Sequence, residues 1–472
     1  MTTTPESPIV TTTLSRRDAL RVGATTLVSA SVFGGRGLDR ASAAGSYPAG
    51  YKALVCVQLV GGNNAFNMLV PTSSAAYATY RRSRKNLAIA PDSLLPLDGK
   101  ASDGHAYGLH PSCPELRSLF NAGHVALIGN VGTLVQPTTA VQARAGAVAL
   151  PPQLFSHIDQ TNQWMTAIPQ AQSLVGWAGR IADVLAANGV TAKLAFNINA
   201  TQSANYWQTG LSTRQYVLGV EGAPTIDFLT DDYNENTRAR AVRALLEQAA
   251  SDPNPLVRQY ESIVRSVNSK AAIVNRALTD AGDFRSQFAS HPGDGGQAGD
   301  QGFGSQLHEV ARVIKAARLL GDARQMFFVS LAGFDTHNGE LATQAQLLRY
   351  VSNDLNSFWN ALGEIGVQKD VTVFTLTEFG RTLGSNGDGS DHAWGGHQII
   401  LGGAVKGGFY GTMPSLAIDG PDDFGSGRLV PTTSTDQVAA TLARWFGVAD
   451  ADIIPMFPNL VNFQIRDLGL FV

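Results

Sequence analysis

Acidic side chains and histidines lie close together at two places in the second half of this 472-residue sequence. Asp335 comes two residues before His337, and Asp391 is followed at once by His392 and five residues later by His397. Carboxylate and imidazole groups bind zinc and manganese, and a carboxylate one or two residues from an imidazole can hold an ion from a single loop. The pattern predicts a divalent metal site, although the same pairs also occur in ordinary polar turns.

Two further side chains could act on a substrate beside such an ion. Ser156, which precedes His157, could be ionised near a metal and attack phosphorus or sulfur. Arg381 could hold an anionic substrate as a bidentate donor, or it could form a salt bridge with a nearby carboxylate such as Glu378. The salt bridge is the favoured interpretation of Arg381.

Buried strands have to bring these residues together, because the residues are far apart in the chain. Nearly continuous apolar runs, typical of parallel strands, lead into polar residues at 61–64, 333–337 and 377–382. Ligands bind at the carboxyl ends of the strands in parallel α/β sheets, so we expect these three loops to converge. A short Gly-rich loop with the residues 391–397 follows the third of them.

The alternation of apolar runs with helical periodicity predicts an α/β fold in which helices flank a mostly parallel central sheet. Strands are predicted at 54–60, 124–129, 326–331, 371–376 and 399–401, and helices at about 110–120, 307–314, 347–362 and 438–446. We find no internal repeat.

The middle of the chain has a different pattern. Apolar residues recur at helical spacing from about 231 to 290, and a turn at 252–255 divides this stretch. A Gly-rich polar run at 291–304 follows, with the composition of a flexible linker or a long surface loop. We interpret the helical stretch as a hairpin inserted into the main domain.

Composition excludes several classes of function. The net charge is -3, so electrostatic attraction to nucleic acid or to anionic lipid is absent. Cys56 and Cys113 are the two cysteines of the chain, so at most one intrachain disulfide can form and a cysteine-rich zinc site cannot. Any metal must be held by His, Asp, Glu and other oxygen ligands.

The N-terminus has the pattern of a twin-arginine signal peptide. Arg16 and Arg17 precede a mildly apolar run at 22–33, and a small-x-small cleavage site follows at 41–43. The sequence thus predicts a signal at 1–43, recognised by the twin-arginine export machinery, and a periplasmic or secreted domain at 44–472. No later stretch approaches membrane-spanning length, so no membrane span is expected in the mature protein.

Two common enzyme classes lack their motifs here. A Ser-His-Asp esterase requires a Gly-x-Ser-x-Gly pentapeptide after a strand, and the sequence contains none. Dinucleotide binding requires further glycines after Gly61-Gly62, and these are missing too.

Taken together, the motifs resemble a bacterial family called domain of unknown function 1501. They follow the order of that family over nearly the whole chain, and those at 377–382 and 402–408 are the most specific. Besides the signal peptide they are LVGGNN at 59–64, LHP at 109–111, SH at 156–157, GFDTH at 333–337, TEFGRT at 377–382, DHAWGG at 391–396 and LGGAVKGG at 401–408.

The family itself looks like a distant relative of the alkaline phosphatase and sulfatase superfamily. That resemblance implies an alkaline-phosphatase-like fold, a divalent metal such as zinc, manganese or calcium, and hydrolysis of phosphate or sulfate esters of small molecules or polysaccharides. It places Ser156 near the nucleophile. The metal ligands that the resemblance implies are Asn64, Asp335, His337, and Glu378 with His392 or His397, and the pattern of acidic residues and histidines adds Asp391 to this pool.

The sequence departs from the superfamily pattern at two positions. Asn64 stands where a metal-binding Asp is expected, and an amide cannot supply the same negative charge to a second metal. Phe379 stands where the superfamily places an imidazole. One metal, or none, is therefore compatible with the sequence, and the alternative function is a catalytically silent envelope protein of the same fold that binds a polysaccharide or a partner protein.

Overall fold

A nine-stranded sheet forms the centre of the fold and is covered by helices on both faces. The structure is a computed structural model that describes residues 50–472 apart from 202, 220–222, 224–236, 283, 285–286 and 289–301.

The strands are β1 (Lys52–Val60), β2 (Leu69–Pro71), β3 (Leu95–Pro96), β4 (Tyr107–Leu109), β5 (Val125–Gly132), β6 (Asn197–Asn199), β7 (Tyr216–Val217), β8 (Arg324–Ala332), β9 (Val371–Leu376), β10 (Gly396–Gly402), β11 (Gly408–Tyr410) and β12 (Thr433–Ser434). Their order in the large sheet is β11-β5-β10-β9-β1-β8-β6-β7, with β12 paired to β5, and β2, β4 and β3 form a small second sheet. The helices are α1 (Ala65–Met68), α2 (Ser74–Arg84), α3 (Pro114–Asn121), α4 (Ala140–Arg144), α5 (His157–Thr166), α6 (Trp177–Ala187), α7 (Thr237–Ala249), α8 (Pro255–Ala281), α9 (Phe303–Leu320), α10 (Glu340–Ile365), α11 (Thr435–Phe446) and α12 (Asp450–Met456).

Strand β1 lies inside the sheet and is parallel to both of its neighbours, β8 and β9. Its residues 53–59 are all buried, as expected for an apolar strand covered on both faces. The register pairs Val60 with Ala332 and Gln58 with Leu376, so these three strands end at one edge of the sheet, here called the carboxyl edge. The predicted convergence of three loops is confirmed.

Strand β10 runs antiparallel to both β9 and β5. Its first residues, rather than its last, therefore lie at the carboxyl edge. The loop at 391–395, which leads into β10, reaches that edge as a fourth loop. Because the other pairings in this sheet are parallel, the predicted α/β fold with a mostly parallel sheet is also confirmed.

Side chains of β1 alternate between two hydrophobic cores. Val55 and Val57 face a core shared with α9 and α10, whereas Leu54 and Cys56 face a core shared with α6 and α11. Burial of each aliphatic side chain contributes roughly 1.5–3 kcal/mol, so the central sheet is held between two helical layers by the hydrophobic effect.

Cys56 and Cys113 are both buried and free, so the one disulfide that the sequence allows is not formed. Helices α7 and α8 lie within the stretch 231–290 and are separated by residues 250–254, while the interpretation of this stretch as an insertion stays a prediction. Helix α9 begins at Phe303, inside the predicted linker at 291–304, whose residues 291–301 lie outside the described part.

The predicted signal peptide at 1–43 also lies outside the described residues. Among the residues that are described, no helix is both long enough and apolar enough to cross a membrane.

Asp436, in the first turn of α11, is a buried carboxyl group whose Oδ2 has no hydrogen-bond partner among the described residues. Burial raises the pKa of Asp436 to about 7. The unfolded chain therefore loses this proton at lower pH than the folded chain does. The folded state is therefore most stable at low pH, where the carboxyl is protonated in both states. The free energy of unfolding decreases as the pH rises toward 7, because the unfolded chain loses the proton first.

We expect Asp436 to lower the free energy of unfolding by roughly 2–3 kcal/mol between pH 5 and pH 8. The decrease is about 1.4 kcal/mol per pH unit and ends near pH 7, where the folded carboxyl also loses its proton. Urea unfolding of Asp436→Asn at both pH values should show a decrease smaller by that amount than the decrease of the wild type. Asp98→Asn, at an exposed position, is the control and should retain the wild-type decrease. Equal decreases in all three proteins would contradict the prediction.

Candidate metal centre

Four side chains from three segments meet at the carboxyl edge. Asp335 and His337 follow β8, His392 precedes β10, and His157 is the first residue of α5. One ligand atom each of His157, Asp335 and His392 lies within 4.8 Å of the other two. His337 Nε2 lies 3.0 Å from His392 Nε2 and 3.2 Å from Asp335 Oδ1. We call these four residues the metal cluster.

Asp335 is the acidic centre of this cluster. Its Oδ1 lies 3.2 Å from Nε2 of both His337 and His392, and its Oδ2 lies 3.6 Å from His157 Nε2. Burial raises the pKa of Asp335, but the hydrogen bond and the charge of Arg381 outweigh it, so the pKa lies below its ordinary value. The carboxylate is therefore charged at neutral pH and available to a cation.

The second nitrogen of each of two imidazoles fixes which tautomer faces the cluster. His392 Nδ1 donates to the carbonyl oxygen of Phe155 at 2.8 Å, and His337 Nδ1 donates to Asp391 Oδ1 at 3.1 Å. Neither acceptor can donate a proton, so both Nδ1 atoms carry hydrogen, and in the neutral form of each ring the Nε2 lone pair faces the cluster. Burial lowers the pKa of His392 below its ordinary value, which favours the neutral, ligating form.

Two Nε2 lone pairs at 3.0 Å repel each other unless a proton or a metal ion lies between them. A tetrahedral zinc ion with bonds of about 2.0–2.1 Å holds its ligand atoms about 3.3 Å apart. The three distances among His337 Nε2, His392 Nε2 and Asp335 Oδ1 are 3.0, 3.2 and 3.2 Å. The donor set and its spacing therefore suit a small divalent ion.

Glu378 orients His157, one of the histidines of the metal cluster. It is buried, and its Oε1 accepts hydrogen bonds from Gly61 N at 2.8 Å and from His157 Nδ1 at 3.1 Å. The bond to Glu378 raises the pKa of His157 above its ordinary value and directs Nε2 toward Asp335. Glu378 Oε2 has no hydrogen-bond partner among the described residues.

The backbone brings these loops into contact through glycine. Gly61 has a φ of 116°, and a Cβ atom there would lie 2.2 Å from the backbone nitrogen of Asp335. Only glycine combines this conformation with such a close approach. The ring of Phe379 stacks on the ring of His392 with 4.5 Å between their centroids, so it helps to hold a histidine of the cluster.

Arg381 lies under the loops with its guanidinium group fully buried. It donates to the carbonyl oxygens of Gly61, Gly62, Phe334 and Ser390, and to the carboxylate of Asp335. The salt bridge favoured from the sequence therefore exists, but its partner is Asp335 and not Glu378. With its nitrogen atoms committed to these acceptors, Arg381 serves to position the loops and Asp335.

Two of the predicted ligands make their contacts away from the metal cluster. Asn64 caps α1 and donates to Glu340, which forms a buried ion pair with Arg84 at 2.7 Å. His397 is buried in β10, where its Nδ1 accepts a hydrogen bond from the backbone nitrogen of Asn130 at 3.2 Å. The sequence places both near the carboxyl edge but does not reveal these partners.

Two other predicted residues lie beside the cluster without facing it. Asp391 orients His337 and so supports a ligand, as carboxylates beside ligating histidines commonly do. Ser156 is the N-cap of α5, and its hydroxyl donates to Asp159 Oδ2 at 2.6 Å. The catalytic role of Ser156 stays a prediction.

Sequence reasoning missed His157 as a member of the cluster. The Ser156-His157 pair drew attention to this position, but to the neighbouring hydroxyl. The helix start at His157 is the signal that could have found it, because the first residues of a helix at a sheet edge face the ligand site.

We expect the protein to bind one zinc ion, and His392→Ala to weaken this binding more than Asp391→Asn does. The first change removes a ligand atom, whereas the second removes only the carboxylate that orients His337 and should cost about 10–100-fold in affinity. Competition with a zinc-binding dye would measure both. His105→Ala is the control, because His105 contacts Ser73 and not the cluster, and equal affinity in all three variants would refute the assignment.

We expect Ser156→Ala to lower the free energy of unfolding by about 1 kcal/mol, because the variant loses the cap of α5. Ser156→Thr keeps the capping oxygen and should remain within a few tenths of a kcal/mol of the wild type. Urea unfolding measures both changes. A Ser156→Ala protein as stable as the wild type would show that the hydroxyl is free of its capping role.

Comparison with solved structures finds remote similarities. The chain is similar to the lipoteichoic acid synthase LtaP from Listeria monocytogenes at 9% identity and a TM-score of 0.39, over 92% of this chain and 81% of that one. A protein in the alkaline phosphatase superfamily from Vibrio parahaemolyticus has 12% identity and a TM-score of 0.36, over 85% and 68% of the two chains. The C-terminal periplasmic domain of EcEptC from Escherichia coli, in complex with zinc, has 10% identity and a TM-score of 0.33, over 86% and 84%.

Similarity at this level does not transfer the activity of these proteins to the chain. A search of curated protein sequences found no match. The family described as protein of unknown function (DUF1501) matches residues 51–455, a range that contains the sheet, the four loops and the metal cluster. The chain therefore belongs to the DUF1501 family.

Proposed function

We propose that this protein binds a divalent metal ion at the cluster and hydrolyses phosphate or sulfate esters. The observation that supports the proposal best is the convergence of His337 Nε2, His392 Nε2 and Asp335 Oδ1 with their lone pairs facing one another. Asp335 and His337 are also nearly half exposed, so an external ester can reach the ligand atoms.

Zinc suits these residues best among the three predicted ions. Two imidazoles and one carboxylate oxygen are ligands that zinc binds well, whereas calcium requires six to eight oxygen ligands. His157 would complete a fourth position or remain free to act on substrate. A bound ion would polarise the ester oxygen and neutralise charge that develops in the transition state.

His157 is placed to exchange a proton at the site. Its Nδ1 is held by Glu378, so Nε2 is the atom that faces the cluster. Such an imidazole can accept the proton of an attacking water or hydroxyl group and return it to the leaving alcohol. If Ser156 is the nucleophile, as the sequence predicts, its hydroxyl must first leave Asp159.

Export would bring the enzyme to its substrate. The twin-arginine pattern at 1–43 favours translocation of an already folded protein, which suits a site that acquires its metal in the cytoplasm. The proposed location is the periplasm or the outside of the cell, where esters of small molecules or of envelope polysaccharides would be the substrates.

The test is turnover by the zinc-loaded protein of 4-nitrophenyl phosphate and 4-nitrophenyl sulfate. We expect hydrolysis of at least one ester, and we expect Asp335→Asn to lower kcat/KM at least about 100-fold, since a metal contributes several kcal/mol to transition-state stabilisation. Asp98→Asn is the matched control at an exposed position and should retain full activity.

Zinc analysis and a thermal melt of each variant separate loss of metal from loss of fold. A folded, zinc-loaded wild type that hydrolyses neither ester would contradict the proposed function. That outcome would favour the alternative, a catalytically silent protein that uses the same surface to bind a polysaccharide or a partner protein.

A further inference from the structure

A groove of about 640 Å³ opens directly beside the metal cluster. Three of its wall residues, His157, Asp335 and Glu378, belong to the cluster and to its support. All of its charged groups come from this one end. A ligand in the groove therefore meets the reactive groups at one end and uncharged wall along the rest.

The uncharged part of the wall is largely apolar. Val60, Ile158 and Tyr206 line it, together with Thr161, which lies one helical turn after Ile158 on the same face of α5. Ile158 is 73% exposed and Tyr206 is 38% exposed. A ligand that covers such exposed apolar side chains removes their surface from water, and this favours binding.

Glycines form the floor of the groove. Gly61 and Gly333 line it, and both have positive φ values, 116° and 110°. Neither residue carries a side chain, so the backbone is open to a flat group lying across it. The positive φ values disfavour any other residue here, and a Cβ atom would point into the protein, 2.2 Å from Asp335 N at Gly61 and 3.4 Å from Leu347 Cδ2 at Gly333.

The charges of the groove limit what it accepts. Among the described residues that line it, none is a lysine or an arginine, and Asp335 and Glu378 are both acidic. The net charge of the whole chain, -3, has the same sign. A negative group of the substrate beyond the reacting ester would therefore find no lysine or arginine along this wall to pair with.

We propose, resting on the proposed function, that the groove binds the alcohol part of the substrate and selects an uncharged apolar or aromatic group. The reacting phosphate or sulfate lies at the cluster, and the ring of the alcohol lies over the glycine floor between Ile158 and Tyr206. Polyanionic esters are poor ligands of this groove.

The test uses binding instead of turnover, so it remains decisive if the proposed hydrolysis is not found. Phenylphosphonate, methylphosphonate and 4-carboxyphenylphosphonate are titrated into the zinc-loaded protein in a calorimeter. We expect phenylphosphonate to bind about tenfold more tightly than methylphosphonate, because the ring removes apolar surface from water. The added carboxylate of the third ligand should remove most of this gain.

The double variant Ile158→Ser with Tyr206→Ala should bind phenylphosphonate and methylphosphonate with equal affinity, while its methylphosphonate and zinc affinities stay at the wild-type values. Val141→Ser, at another exposed apolar residue that does not line the groove, is the control and should keep the tenfold preference. Equal affinity of the wild type for the two ligands, failure to bind either, or an unchanged preference in the double variant would overturn the inference. Phenylphosphonate selectivity without ester turnover would contradict only the proposed function.

Discussion

The buried guanidinium group of Arg381 is the interaction on which the candidate site depends. It donates to backbone oxygens of the loops after β1 and β8 and of the loop before β10, and to Asp335. Its own residue follows β9, so one cation joins all four loops at the carboxyl edge. A buried charge is stable only when such acceptors surround it, and the same acceptors hold the loops in one arrangement.

Around that cation, each histidine of the cluster is oriented by a contact at its other nitrogen. Phe155 O holds His392, Asp391 holds His337, and Glu378 holds His157. Phe155 adopts a φ of 74°, in the left-handed region that costs a non-glycine residue about 1–2 kcal/mol. The carbonyl that orients His392 therefore comes from strained backbone, as is common where a ligand site is pre-organised.

Much of the fold could be predicted because its elements carry strong local signals. The apolar runs of β1, β8 and β9 are long, and their carboxyl ends predicted a shared edge that the parallel register then produced. Residues of the site next to those ends, such as Asp335 and Glu378, could be named for the same reason. The true partner of Arg381 could not, because Glu378 is close in sequence while Asp335 is close only in the folded chain.

The sequence by itself determined the α/β class, the three strand ends that carry polar residues, and membership of the DUF1501 family, because periodicity and short motifs are local properties of a chain. The tertiary structure decided which of those polar residues meet. It turned Asn64 toward Glu340 and His397 toward Asn130, and it brought His157 into the cluster. Such choices depend on the direction in which each side chain leaves a packed backbone, and the spacing of residues along the chain does not encode that direction.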